Sequence, residues 1–394
     1  MTDRNLKPGW NSWRFDQIAI NVNERIDDPS KSGVDFYVGL EHLDPDSLKI
    51  RRWGKPEDVE ATKLCFKKGD IIFARRRAYQ RKLGVAEFDG ICSAHAMVLR
   101  PRTDVVLPEF LPFFMQSDLF MNRAVEISVG SLSPTINWKT MAVQQFALPP
   151  LEEQQHIVSR LLALEEQIEA LLSLRTFHAR LIESHTDSFL ARWNSRQVTT
   201  VDNLVTSAPR NGLSPKVNAD ENGYPTLSIS AVREGAIVTE GNTKYANVSE
   251  SDVQQFLLQK RDVLVVRGNG NKLLTGKCGI VGNVPLHCFY PDLLIRLRFD
   301  EKTIRTDFAV LQWNSPSIHN KLISRAKSTN GIWKINGADI RKHSLIVPPL
   351  KEQDIFLADY RKHRAAKSVL AKRILSASGL KHQLLQAHFS GVVG

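Results

Sequence analysis

Ala147-Leu-Pro-Pro-Leu-Glu-Glu-Gln154 returns later in the chain as Ile346-Val-Pro-Pro-Leu-Lys-Glu-Gln353, at an offset of 199 residues. A shared Pro-Pro-Leu-x-Glu-Gln marks an internal repeat. Upstream, Ile136-Asn137 matches Ile335-Asn336, Gln116-Ser117 matches Asn314-Ser315, and Leu99-Arg100 matches Leu297-Arg298. Further back, Gly69-Asp-Ile-Ile-Phe-Ala-Arg75 aligns with Arg261-Asp-Val-Leu-Val-Val-Arg267, Tyr37 with Tyr224 and Asp16 with Asp202. The offset drifts in one direction, as one duplication with a few insertions requires.

Each copy reads as a mixed globular domain followed by a long helix: 1–150 and 151–192, then 193–349 and 350–394. Short apolar runs bounded by Gly, Asp, Asn or Pro, such as Ile71-Ile-Phe73, Val263-Leu-Val-Val266 and Leu293-Leu-Ile295, read as buried strands. Pro108 to Gln116 and Asp307 to Trp313 read better as helix. In both copies Pro-Pro closes a strand-like run and a helix begins, where proline's fixed φ and missing donor are tolerated. The expected class is α+β, with two duplicated mixed α/β domains and two long helices pairing as an antiparallel coiled coil.

The first long helix, from Leu151 to Trp193, spaces Ile157, Leu161, Leu164, Ile168 and Leu171 by alternating fours and threes, a heptad seam. The second, from Leu350 to Phe389, is best patterned near its end, at Leu370, Ile374, Leu380, Leu384 and Leu385. Antiparallel pairing brings the better seams together. Charge agrees: residues 151–192 hold 4 basic and 7 acidic groups, residues 350–394 hold 8 and 3.

Apolar residues make up 42% of the chain and charged residues 24%, ordinary globular values, with no apolar run long enough to cross a bilayer. The opening residues lack the apolar segment of a secretory signal, so a cytoplasmic protein with no membrane role is expected. Cys65, Cys92, Cys278 and Cys288 show no metal-ligand or disulfide spacing, and the 11 histidines show no ligand spacing either. A net charge of +11 favours a polyanionic partner.

The duplicated Pro-Pro-Leu-x-Glu-Gln leading into a long helix, preceded by a Gly-Asp-x-x-x-x-Arg strand, resembles the specificity subunit of type I restriction-modification enzymes. The resemblance covers essentially the whole chain. It implies two target-recognition domains, each reading one half of a split sequence in double-stranded DNA, separated by an antiparallel helix pair that binds two methyltransferase subunits. It also implies that restriction/translocase subunits can join. No cofactor is then expected on this chain, with S-adenosylmethionine, ATP and Mg carried by the partners. In the second copy Arg261 stands where the first has Gly69, so an identical turn is not expected there.

After the Gly-Asp strand the first copy presents Arg75, Arg76, Arg77, Tyr79, Arg81 and Lys82. The second presents Arg267, Asn269, Asn271, Lys272 and Lys277 in a Gly-rich loop. Arginine suits guanine edges and phosphates, and asparagine pairs bidentately with adenine. The two loops differ most where the surrounding frame agrees, as halves reading different bases should. Arg51-Arg-Trp-Gly-Lys55 is a lesser candidate, and Arg296 and Arg298 read as the outer face of a strand. The first domain holds 21 basic and 19 acidic groups, the second 20 and 13, so the second should grip phosphate more strongly. Leu172, Leu174 and Leu181 lie outside the best seam and are candidate partner contacts.

Catalytic readings are weak. The Pro-Pro pairs are not the Asn/Asp-Pro-Pro-Tyr loop of an adenine methyltransferase, and Arg267 to Lys272 lacks phosphate-loop spacing. Pro291-Asp292 with Asp300-Glu-Lys302 matches a metal-dependent nuclease pattern. The first copy has no equivalent, so a stand-alone nuclease is only the alternative to a non-catalytic DNA reader.

Overall fold

The computed structural model of the chain describes residues 6–194, 197–218, 221–329 and 331–389. Two compact units emerge: residues 1–173 with 371–394, and residues 174–370. Of the expected second helix, residues 390–394 lie outside the described residues.

In the first unit a four-stranded antiparallel sheet runs in the order Ala19–Val22, Met97–Pro101, Ile71–Phe73, Leu83–Val85. The run Ile71-Ile72-Phe73 is apolar throughout because both faces of its strand are covered. Ile71 and Phe73 enter one core, whereas Ile72 enters another with Leu64 and Phe66 from a second sheet. The larger core is aromatic: Phe15, Phe110, Phe114, Phe120 and Phe146 pack with ring centroids as close as 5.3 Å. Two short helices, Phe110–Gln116 and Asp118–Glu126, supply most of them, joined at Ser117, whose hydroxyl accepts from the Phe120 amide.

The second unit repeats the plan. Its sheet runs Arg210–Asn211, Leu294–Leu297, Val263–Val266, Cys278–Ile280 before two added strands. Val263 and Val265 face the main core, Leu264 and Val266 a smaller one. Thr306–Asn314 and Pro316–Ile323 replace the two short helices.

The long helices span Leu151–Trp193 and Leu350–Phe389. The first unit buries the start of the first helix, through Ile157, Val158 and Leu161, and the end of the second, through Leu385 and Phe389. The second unit buries the opposite ends, through Phe189, Leu190, Phe356 and Leu357. The pair is therefore antiparallel. Its seam departs from the expected one near the end of the second helix. Leu380 is 47% exposed, and Ala377 and Lys381 occupy the buried positions. The Lys381 ammonium is only 7% exposed and donates to Glu165 Oε1 at 2.7 Å, so the helices' opposite charges meet as a buried pair.

Three further features are duplicated in atomic detail. Gln154, fully buried at the start of the first helix, donates from its amide to the carbonyls of Pro149 (2.9 Å) and Val105 (3.1 Å) and accepts from the Leu107 amide (2.9 Å). Gln353 does the same with Pro348 (2.7 Å), Thr303 (3.3 Å) and the Arg305 amide (2.8 Å). Buried Asp70 takes Arg100 at 2.7 Å, and buried Asp262 takes Arg298 at 2.6 Å. The preceding turn is also identical, contrary to expectation. Gly69 has φ +90°, and Arg261 adopts φ +75° with its guanidinium held by Glu301 and Asp307. Those two ion pairs accompany a backbone conformation that disfavours a side chain. Arg296 also departs from its expected outward face: it is buried, donating to the Leu257 carbonyl with the Tyr290 ring 5.6 Å away.

Replacing Gln353 by alanine strands the buried Pro348 carbonyl and unpairs the partly buried Thr303 carbonyl and Arg305 amide, a buried group left unpaired and unhydrated costing about 1–3 kcal/mol. Gln353→Ala should therefore lower the unfolding midpoint in urea well beyond Gln383→Ala, an exposed position on the same helix.

Candidate nucleic-acid interface

In the first domain the basic stretch forms the connection between two paired strands, Ile71–Phe73 and Leu83–Val85. Arg77 and Arg81 both take left-handed backbone angles (φ +59° and +54°) on either side of a single turn, Ala78–Gln80, which sets Tyr79 outward and 54% exposed. A second segment lies against this loop: the Arg77 amide donates to the Pro134 carbonyl (2.7 Å) and the Ile136 amide to the Arg75 carbonyl (3.0 Å). Arg77 reaches the Ser133 hydroxyl at 3.0 Å, and Arg76 sits 3.4 Å from His95 Nε2. Burial first, then the charges of Arg76 and Arg75, hold the His95 imidazole below its ordinary pKa.

The structure divides the expected contacts. Arg81 is clamped by Asp46 (2.7 Å), Asp118 (2.9 Å) and the Gln116 carbonyl, Lys82 donates to the Leu40 carbonyl (3.0 Å), and Arg75 donates to the Ala94 carbonyl (3.0 Å). These three side chains are engaged at the base of the loop. Arg76, Arg77 and Tyr79 remain at its surface. Arg51 is also committed, to Glu169, to Asp44 and to the Ser47 hydroxyl, and Arg52 pairs with Asp44.

The second domain uses the same sheet position differently. Arg267 to Lys277 connects Val263–Val266 to Cys278–Ile280, and within it Gly268–Asn269 pairs with Ile332–Lys334, itself paired with Lys327–Thr329. A Cβ on Gly268 would come within 3.3 Å of Lys334, so that glycine serves a strand crossing, whereas the space around Gly270 is open. The Asn269 and Asn271 side-chain oxygens accept from the Asn271 (2.8 Å) and Leu273 (2.9 Å) amides, shaping the loop and leaving their amide donors available. The Lys272 ammonium stands 4.4 Å from the Trp333 ring centroid. Arg267 lies 3.7 Å from Asp292. Lys277 is half-buried and donates to the Asn314 carbonyl (2.9 Å), and burial lowers its pKa.

Sequence reasoning missed the companion hairpin in the second domain, with Lys327, Trp333 and Lys334, and its counterpart near Ser133 in the first. The signal was present. Asn330-Gly331 is a two-residue hairpin turn sequence, and both segments immediately precede the matched Ile-Asn pairs.

The nuclease pattern does not assemble. Asp292 and Asp300 lie beyond opposite ends of the strand Leu294–Leu297, on the order of 20 Å apart at strand rise. Asp300 accepts from the Lys302 amide and the Thr303 hydroxyl as a turn cap.

Comparison with known proteins gives one consistent likeness. Residues 56–173 match the type I restriction modification DNA specificity domain. The chain is 26% identical to the EcoKI specificity subunit of Escherichia coli (strain K12) over 96% of its own length and 82% of that protein's. Over most of its length the chain is similar to type I restriction-modification specificity subunits. The EcoDI specificity subunit of Escherichia coli is 32% identical over 195 residues, covering 47% of this chain and 39% of that one. The fold agrees with a chain solved in a study of type I R-M complex assembly (TM-score 0.59, 20% identity, 98% and 99% coverage). It also agrees with the type I S subunit from M. genitalium (TM-score 0.53, 15% identity, 99% and 98% coverage). As a specificity subunit this chain is non-catalytic; methylation and cleavage lie on partner subunits, and the nuclease alternative has no support. No described helix is long and apolar enough to cross a membrane.

The internal commitments of the loop residues separate two kinds of variant. Arg81→Ala should lower the thermal unfolding midpoint of the purified subunit, because it uncovers Asp118 and a backbone carbonyl. Arg76→Ala and Arg77→Ala, which remove only neutral surface interactions, should leave that midpoint within error.

Proposed function

We propose that this specificity subunit reads a split, asymmetric DNA target, with residues 1–150 and 193–349 as the two target-recognition domains and the helices at 151–192 and 350–394 as the spacer. The observation carrying this reading is the pair of loops at one sheet position: Arg76, Arg77 and Tyr79 in one copy, Asn269, Asn271 and Lys272 in the other. The same frame holding different chemistry suits two half-sites of different sequence. Arginine at the first loop favours guanine and phosphate, and asparagine amides at the second favour adenine. Arg75, Arg81, Lys82, Arg267 and Lys277 act as supports from beneath. Lys327, Trp333 and Lys334 extend the second surface.

Half-sites read in major grooves about one turn, or 10 to 10.5 base pairs, apart would span about 3 to 5 base pairs each around an unread spacer of roughly 5 to 8. Asn269→Ala combined with Asn271→Ala should relax discrimination in one half only, by about 1–3 kcal/mol for each bidentate pair of hydrogen bonds removed. Lys272→Ala should weaken all sequences and flatten the salt dependence. Sequencing the adenines methylated by the reconstituted complex reads both outcomes. A continuous palindrome, or equal loss of discrimination in both halves, would refute the model.

The partners in this proposal are double-stranded DNA and two methyltransferase subunits, with a restriction subunit joining the same complex in the cytoplasm. S-adenosylmethionine then belongs to the methyltransferase, and ATP and Mg to the restriction subunit. Docking would use the helices around Leu172, Leu174 and Leu181. Leu174 and Leu181 are 49% and 45% exposed, with Phe177 at 65% between them, an apolar stripe along one helix face. Replacing Leu172, Leu174 and Leu181 together by polar residues should abolish co-purification with the methyltransferase while the circular dichroism spectrum is kept; unimpaired assembly would count against this surface.

A further inference from the structure

Where the two long helices pair within the second unit, the seam turns from leucine to histidine. His178 and His185 stand two turns apart on the first helix, and Asp359 and His363 one turn apart on the second, so each pair shares a helix face. Across the pair, His185 Nδ1 lies 3.9 Å from Asp359 Oδ2, and His363 Nε2 lies 3.6 Å from the same oxygen. One donor atom from each of His185, Asp359 and His363 falls within 4.8 Å of the others, and all three side chains are partly buried.

We propose that His185, Asp359 and His363 form a binding site for one divalent transition-metal ion of the zinc class, clasping the two helices together. Metal-ligand bonds of about 2.0–2.1 Å in a tetrahedron place donor atoms about 3.3 Å apart. Closing the set therefore takes between a few tenths of an ångström and about 1.5 Å of approach between donor atoms. Two imidazoles and one carboxylate suit zinc, nickel or cobalt and not the oxygen-seeking magnesium or calcium. The remaining coordination position is left for water.

The surroundings support ligation. His178 Nε2 is 3.4 Å from His363 Nδ1, so the Nδ1–H of His363 can donate to it and leave Nε2 as the metal-facing lone pair. Such a hydrogen bond commonly orients a metal-bound histidine. The His185 ring stacks on Phe356 at 5.3 Å, which restricts its rotation. Lys362 faces the other oxygen of Asp359, Oδ1, at 3.8 Å. Both helices are pinned one turn away by Phe189 stacking on Phe356 at 4.3 Å, so the donors are brought together before any ion arrives. The cysteines offer no rival: Cys92, Cys278 and Cys288 are buried, with thiol pKa values pushed up by burial, and Cys65 stands on a different unit.

The test uses the tag-free, full-length subunit stripped with a chelator. Zinc chloride titrated calorimetrically should bind one ion per chain in the micromolar range or tighter and raise Tm by a few degrees. Cobalt(II) at the same site should give the visible absorption of a low-coordinate nitrogen–oxygen complex. His185→Gln combined with His363→Gln should reduce zinc affinity at least 100-fold. His178→Gln should reduce it by about 10- to 100-fold while keeping the stoichiometry, as removal of an orienting partner does. Absence of stoichiometric binding to the wild-type chain overturns the proposal, as does unchanged affinity in the double variant. If the double variant fails to fold, Asp359→Asn decides: a loss of at least tenfold supports the site and unchanged binding refutes it.

Discussion

A neutral, fully buried amide fixes each long helix to its domain. The last strand of each domain runs into Pro-Pro, two residues that bring no backbone donor, and the first carbonyl of that pair, Pro149 or Pro348, accepts from a side chain instead. Gln154 and Gln353 supply the donor, and each accepts in return from a backbone amide distant in sequence, that of Leu107 or Arg305. Three hydrogen bonds from one planar group define both position and direction at the helix entry. A glutamine achieves this without the cost of desolvating a charge. Within each unit an aromatic cluster, at Phe389 in the first and at Phe189 in the second, holds the end of the other helix.

A second constraint explains how the two surface loops, Arg75 to Lys82 and Arg267 to Lys277, can differ so freely. In both sheets the strand leading into the loop starts at a buried aspartate, Asp70 or Asp262, which accepts from a backbone amide of its own turn and from an arginine on the neighbouring strand. Register is set there, at the end of the strand away from the loop. The loop at the other end can carry arginines or a glycine–asparagine run without disturbing pairing. Even the left-handed turn before the aspartate tolerates a change from glycine to Arg261, given Glu301 and Asp307 as partners.

These constraints were unevenly legible in the sequence. The repeat, the buried strands and the helix starts could be read because they depend on local pattern: Pro-Pro entries, runs such as Val263 to Val266, and heptad spacing from Ile157 to Ile168. The role of Gln154 could be seen only as a recurrence, since its partners, Val105 and Leu107, are set by tertiary structure. Leu380 and Lys381 exchanged expected places for a similar reason, because the position of Glu165 on the facing helix decides which side of that turn is buried. Histidines 178, 185 and 363 showed no ligand spacing because the spacing is split between helices far apart in the chain.

Charge gave the least reliable guide, and the reason lies in what each cation faces. Arg81 is held by carboxylates and Arg267 lies beside one, so much of their charge is already answered. Lys277 donates a hydrogen bond to a carbonyl in a half-buried setting and presents little field to solvent. Arg77 on a serine hydroxyl, Arg76 beside an imidazole whose pKa is lowered, and Lys272 over an indole are positioned by neutral groups. A neutral partner restricts a cation's geometry without cancelling its charge, so these side chains keep both the orientation and the field that a phosphate or a base edge requires. A net count of lysines and arginines cannot draw that distinction. The partner of each cation does.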